Sequence, residues 1–216
     1  NMVYSLCRNI TSKGNKLGTG FVGTADINEV LTDFGKSSLA YTLILQRENP
    51  SWLCSVDQGA TTVWERWNSY TLENGFYEPS MNSYNHYSYG AVAEWMYSDM
   101  LGINADKSSP AFKNVVFRFN PDMRQSDEIP SGQKLITYSE GEYDSAYGNI
   151  KSRWENTGSG FKYTVTVPAN STATVYVPVS HSDVYFDSVK AANSGQTSGG
   201  VTYLGTKDGF AEFRTA

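Results

Sequence analysis

Cysteine is scarce in this chain: 216 residues hold only Cys7 and Cys54. Two thiols make no disulfide framework, and two free buried cysteines are expected unless the fold brings them within bonding distance. Histidine is as scarce. His86 and His181 lie far apart in sequence, so no metal site is legible and no cofactor is expected. Basic runs are missing too, and with 17 Lys and Arg against 22 Asp and Glu the formal net charge is -5. Nucleic acid is thereby set aside as a partner, because its phosphates demand clustered cations. No apolar run approaches the roughly 20 residues that cross a bilayer. The opening Asn1-Met2-Val3-Tyr4 also lacks the charged and apolar segments of a secretion signal, so no membrane association is expected and the compartment is not read directly.

Aromatic residues are plentiful at 14%, with 15 Tyr and 5 Trp. Such enrichment suits carbohydrate binding and β-rich cores alike. The most informative stretch is residues 58–67, where Glu65 sits between Trp64 and Trp67 and no other charge intervenes after Asp57. A carboxylate held against indole rings loses hydration and becomes suited to proton exchange near neutral pH, while aromatic faces offer stacking to a sugar ring. The competing reading is an ion pair between Glu65 and Arg66 or another cation. Asp57 reads as a solvated loop residue that could orient either of them, and Asp99 as surface.

The hydrophobic period divides the chain into residues 1–108 and 109–216. In the first part, Ile27, Val30, Leu31 and Phe34 recur at helical spacing behind a candidate cap at Asp26, and Gly35 ends the segment. Helices are also expected over residues 37–47 and 84–101, the latter with Tyr87, Ala91, Val92, Trp95 and Met96 on one stripe and a stop at Gly102. The intervening loops, 16–24 and 51–68, are long enough to suggest function. The first carries Gly18, Gly20 and Gly23, which fit either close approach to a ligand or a tight helix connection. In the second part the period is two: Val115, Phe117 and Phe119, then Phe161, Tyr163, Val165 and Val167, then Val175 and Val177. Residues from about 111 onward therefore predict an antiparallel β-sandwich, with residues 191–200 as a loop or hairpin tip.

Five strings in order carry a resemblance: Gly18-Thr19-Gly20-Phe21-Val22-Gly23-Thr24, Tyr41 through Leu45, Pro50-Ser51-Trp52, Gly59 through Trp67, and Met81 through Gly90. Together they closely resemble the carboxy-terminal part of bacterial α-L-rhamnosidases of glycoside hydrolase family 78. Residues 147–154 and 167–178 look like that family's terminal β-domain. The resemblance implies the last helices of an (α/α)6 six-hairpin barrel followed by the β-sandwich, with the upstream remainder of the same polypeptide as its partner.

It implies an inverting hydrolase acting on terminal α-L-rhamnosyl groups of glycosides or polysaccharides, in which two carboxyl groups stand about 6.5 to 9.5 Å apart to admit a water. Glu65 falls at the family's general base, and His86 at a histidine of the sugar subsite. Helical spacing by itself makes His86 a structural residue ringed by Tyr84, Tyr87 and Tyr89. Trp64 and Trp67 are candidate sugar contacts that could equally be packing. The family's general acid lies in an acidic cluster with no counterpart in this sequence, so the chain alone is expected to be inactive. For an enzyme of plant-glycan breakdown a periplasmic or extracellular location is expected. Two other readings stay open: another (α/α)6 glycosidase acting on a different sugar, and a non-catalytic carbohydrate-binding piece.

Overall fold

The structure is a computed structural model that describes residues 2–179 and 183–215. His181 lies outside them. The chain forms two compact units, one of residues 1–95 with 122–135, the other of 96–121 with 136–216.

The first unit is helical. It contains α1 (Met2–Ser12), α2 (Phe21–Asp33), α3 (Ser37–Ile44) and α4 (Trp52–Asp57), a small hairpin of β1 (Tyr70–Thr71) and β2 (Gly75–Phe76), and a 3-10 turn, Ser88–Ala91, leading into α5 (Val92–Trp95). Three expectations need correction. Asp26 caps nothing: α2 begins five residues earlier, with Gly20 at its N-cap. The start is fixed by Thr24, whose hydroxyl donates to the Gly20 carbonyl at 2.7 Å and meets the Thr19 hydroxyl at 2.8 Å. Gly23 serves this tight entry, since a Cβ there would stand 3.0 Å from the Thr19 methyl. Residues 84–87 are likewise not helical, and the last helix begins with the 3-10 turn. The segment 51–68 is not wholly loop, because Ser51 caps α4 by accepting from the Cys54 amide at 3.2 Å.

The core of this unit is Leu31, Ala40, Tyr41, Leu43 and Trp95, all fully buried. Trp95 meets Tyr41 edge-on at 5.3 Å and donates its indole N–H to the Thr32 hydroxyl at 2.9 Å, so its one polar atom is satisfied. A strap, residues 122–135, is pinned to α3 by a buried ion pair. Arg124 grips Asp122 through two hydrogen bonds of 2.9 and 2.8 Å and reaches the Thr42 hydroxyl, the Gln133 side chain and the Lys134 carbonyl. Both charged side chains are wholly inaccessible to solvent.

The second unit is built of two main sheets. One has six strands in the order β11 (Thr197–Ser198), β12 (Val201–Lys207), β13 (Phe210–Thr215), β8 (Thr172–Pro178), β4 (Asn114–Arg118), β3 (Ile103–Ala105). The other has three: β5 (Tyr138–Ser145), β6 (Gly148–Asn156) and β7 (Phe161–Thr166). A two-stranded ribbon joins β9 (Tyr185–Phe186) to β10 (Val189–Lys190). The sandwich is not wholly antiparallel: β4 and β8 run parallel, with Val115 opposite Ala173 and Phe117 opposite Val175. Between the main sheets, Phe119 lies 4.4 Å from Tyr163, and Ile150 and Trp154 are fully buried. A π-helical turn, Met96–Met100, precedes β3; the Trp154 indole donates to its Met100 carbonyl at 2.7 Å, and Ser152 donates to Leu101 at 2.6 Å. Gly102 ends the turn with φ +76°, where a Cβ would come within 2.7 Å of the Arg118 carbonyl oxygen. Asp99 is half-buried rather than a surface residue, accepting from Ser98 at 2.9 Å and Asn120 at 3.4 Å.

No helix among the described residues is long and apolar enough to cross a membrane. Nor do any three His, Cys, Asp or Glu side chains among them gather as a metal site. Cys7 and Cys54 are free, and half-buried rather than buried.

Candidate active site

Two loop segments of the helical unit lie against each other and carry the candidate residues. The Val63 carbonyl accepts from the His86 amide at 2.8 Å, and the Ser83 carbonyl accepts from the Glu65 amide at 2.9 Å. The Ser83 amide in turn donates to Oε2 of Glu65 at 2.7 Å. Glu65 is thus held from both its backbone and its side chain by one residue. The carboxylate is half-buried, takes part in no ion pair among the described residues, and Oε1 has no hydrogen-bond partner there.

The ion-pair reading of this stretch does not hold. Arg66 donates from Nε to the Met81 carbonyl at 3.0 Å and lies over the Tyr77 ring at 5.3 Å. Asp57 pairs with Arg47 at 2.5 Å, so it orients neither Glu65 nor Arg66.

A chain of rings links these loop segments to α2 and α4. Trp52 meets Trp67 edge-on at 5.6 Å, Trp67 stacks on Tyr89 at 3.9 Å, Tyr89 tilts against Phe21 at 5.3 Å, and Phe21 stacks on His86 at 4.7 Å. Trp67 and His86 are half-buried. Trp64 is placed differently: only 7% exposed, it meets Tyr70 and Tyr84 edge-on at 6.3 and 6.1 Å. His86 Nδ1 accepts from the Ser88 amide at 3.5 Å, leaving Nε2 as the donor of the neutral ring. Burial pushes the Tyr89 phenol above its usual pKa; Arg66 draws it down and Glu65 pushes it up. Its hydroxyl therefore keeps its proton through neutral pH, within the electrostatic reach of both charges.

Phe21, Ser83 and Tyr89 received no role from the sequence. All three stand inside the strings that carry the family resemblance, which is the one signal that could have flagged them. Phe21 in particular is the first residue of α2, so the position of that helix start sets its contact with His86.

A helical unit that carries a carboxylate and stacked rings on its loops, with a two-sheet β unit beside it in the chain, fits the class of six-hairpin glycosidases with an appended β-domain. Residues 1–100 match the family model of the bacterial alpha-L-rhamnosidase 6 hairpin glycosidase domain, and residues 102–191 match that of the bacterial alpha-L-rhamnosidase C-terminal domain. The chain belongs to the bacterial α-L-rhamnosidase family, and its helical unit corresponds to the last helices of the barrel.

The α-L-rhamnosidase of Streptomyces avermitilis is 40% identical over 174 residues, which is 81% of this chain and 16% of that protein. That of Alteromonas sp. (strain LOR) is 36% identical over 205 residues, 95% of this chain and 20% of that protein. The crystal structure of the Streptomyces avermitilis α-L-rhamnosidase complexed with L-rhamnose aligns with a TM-score of 0.76 at 36% identity, covering 97% of this chain and 18% of that one. The chain thus spans at most a fifth of the length of these two curated relatives.

Proposed function

We propose that this chain supplies the general base and part of the sugar subsite of an inverting α-L-rhamnosidase that removes terminal α-L-rhamnosyl groups from glycosides or polysaccharides. The observation that carries the reading is the state of Glu65: half-buried, in no ion pair among the described residues, one oxygen fixed by the Ser83 amide and the other without a hydrogen-bond partner among them. A carboxylate so held keeps its lone pairs aimed while remaining able to accept a proton. In the reaction Glu65 takes a proton from water as the water oxygen bonds to the anomeric carbon. The glycosidic C–O bond breaks on the opposite face, and the leaving oxygen is protonated by an acid from another part of the polypeptide. His86 donates from Nε2 to a rhamnose hydroxyl, and Trp67 lines the subsite; Trp64, enclosed by Tyr70 and Tyr84, supports its wall.

In the complete polypeptide, Glu65→Gln keeps the shape of the side chain but loses the base. Turnover of an aryl α-L-rhamnoside is expected to fall by about 10² to 10⁴-fold, with rhamnose affinity, measured by calorimetry, nearly unchanged. Undiminished turnover would return Glu65 to a structural role.

A further inference from the structure

Ser83, which grips the candidate base, is flanked by Asn82 and Tyr84, and both are tied to one buried residue on the other segment. The Ser69 hydroxyl donates to Oδ1 of Asn82 at 2.5 Å, the Asn82 Nδ2 donates to the Tyr84 hydroxyl at 3.0 Å, and that hydroxyl donates to the Ser69 carbonyl at 2.9 Å. The donors and acceptors follow one another head to tail and the ring closes, while the Ser69 hydroxyl also lies 3.0 Å from the Arg66 carbonyl, a second acceptor for its proton. Ser69 is 0% exposed, and its hydroxyl oxygen also accepts from the amide of Arg66, the residue next to Glu65, at 3.2 Å. A closed ring of neutral hydrogen bonds anchored on a buried residue is stiffened, because each bond polarises the next.

We propose that Ser69, Asn82 and Tyr84 form a positioning ring for Glu65. By locking the residues on either side of Ser83, the ring fixes the amide that aims the carboxylate. This inference rests on the reading of Glu65 as general base. The three are positioning residues, and none of them is assigned contact with substrate. A base displaced by about 1 Å from its line of attack can cost on the order of 10²-fold in rate without loss of binding. Loosening the ring should therefore slow the chemical step and leave the sugar subsite intact.

The test uses the complete polypeptide with an aryl α-L-rhamnoside. Tyr84→Phe removes a single hydroxyl and keeps the edge contacts of that ring with Trp64 and Phe76. Asn82→Ala removes two links of the ring. Each is expected to lower kcat by about 10- to 100-fold with KM and the melting temperature held near the parent's. Placed in the Glu65→Gln background, either change should cause no further loss, since the ring acts only through the carboxylate. Unchanged kcat in both variants overturns the proposal, as does a loss that recurs in full in the Glu65→Gln background. Should Asn82→Ala fail to fold, Tyr84→Phe decides alone. If Glu65→Gln retains turnover, the functional reading fails and the ring with it; if Glu65→Gln collapses while the ring variants do not, only the ring is lost.

Discussion

At the scale of single residues, His86 shows how a ring acquires a defined donor. The Ser88 amide occupies Nδ1, and the rings of Phe21 and Tyr87 stack with the imidazole at 4.7 and 5.4 Å. What remains is one N–H, suited to a sugar hydroxyl. A neutral hydrogen bond of this kind contributes about 0.5 to 1.5 kcal/mol, so His86→Ala should raise KM about two- to twelvefold and change kcat little. Steady-state kinetics on the complete polypeptide checks this, and unaltered KM together with unaltered kcat rules the contact out. The candidates Glu65 and His86 stand out in the sequence, the first because a lone carboxylate between tryptophans is chemically conspicuous, the second through resemblance. Phe21 and Tyr89 were not, since stacking partners are set by which helix end approaches which loop. Nothing local to either residue encodes that.

At the scale of elements, the strap over residues 122–135 has no regular structure of its own and depends on Arg124. Asp122 and Arg124 stand only two residues apart, and in the fold both side chains are wholly enclosed. Removing one partner of such a pair leaves a buried charge uncompensated and typically costs about 3 to 5 kcal/mol. Asp122→Ala should accordingly lower the urea midpoint of the helical signal markedly. Replacing both charges by apolar residues of similar volume, as in Asp122→Leu with Arg124→Met, should lower it far less. Elements with a clear apolar period, such as α3, β4, β7 and β8, were legible. β5 escaped notice because Glu140 and Glu142 occupy its exposed face and Gly141 lies between them, leaving no apolar alternation to see. The start of α2 was misplaced because glycine and threonine, not an acidic cap, set it. The parallel pairing of β4 with β8 has no local signature at all.

At the scale of the whole molecule, the catalytic reading predicts that the 216-residue polypeptide by itself hydrolyses no aryl α-L-rhamnoside, because protonation of the leaving oxygen is assigned elsewhere. Turnover by this chain would place the acid within it. Two exposed rings of the β unit count against a purely sugar-binding role for it. Tyr138 lies beneath Arg153 at 5.0 Å and Tyr147 beneath Lys113 at 5.1 Å, so these exposed rings already carry cations. The face around Arg153 is laced with ion pairs to Glu140 and Glu155. The strap has one more consequence, which concerns time rather than energy. The chain leaves the helical unit after Trp95, returns to it at Asp122 and leaves again after Leu135. On a ribosome, therefore, the helical unit cannot close around Arg124 until β3 and β4 have already been made. β4 must then wait for β8, since Asn114 and Thr172 are 58 residues apart. Through that interval Val115 and Phe117 belong to a strand with one open edge, the state in which a nascent chain is most exposed to pairing with the wrong partner.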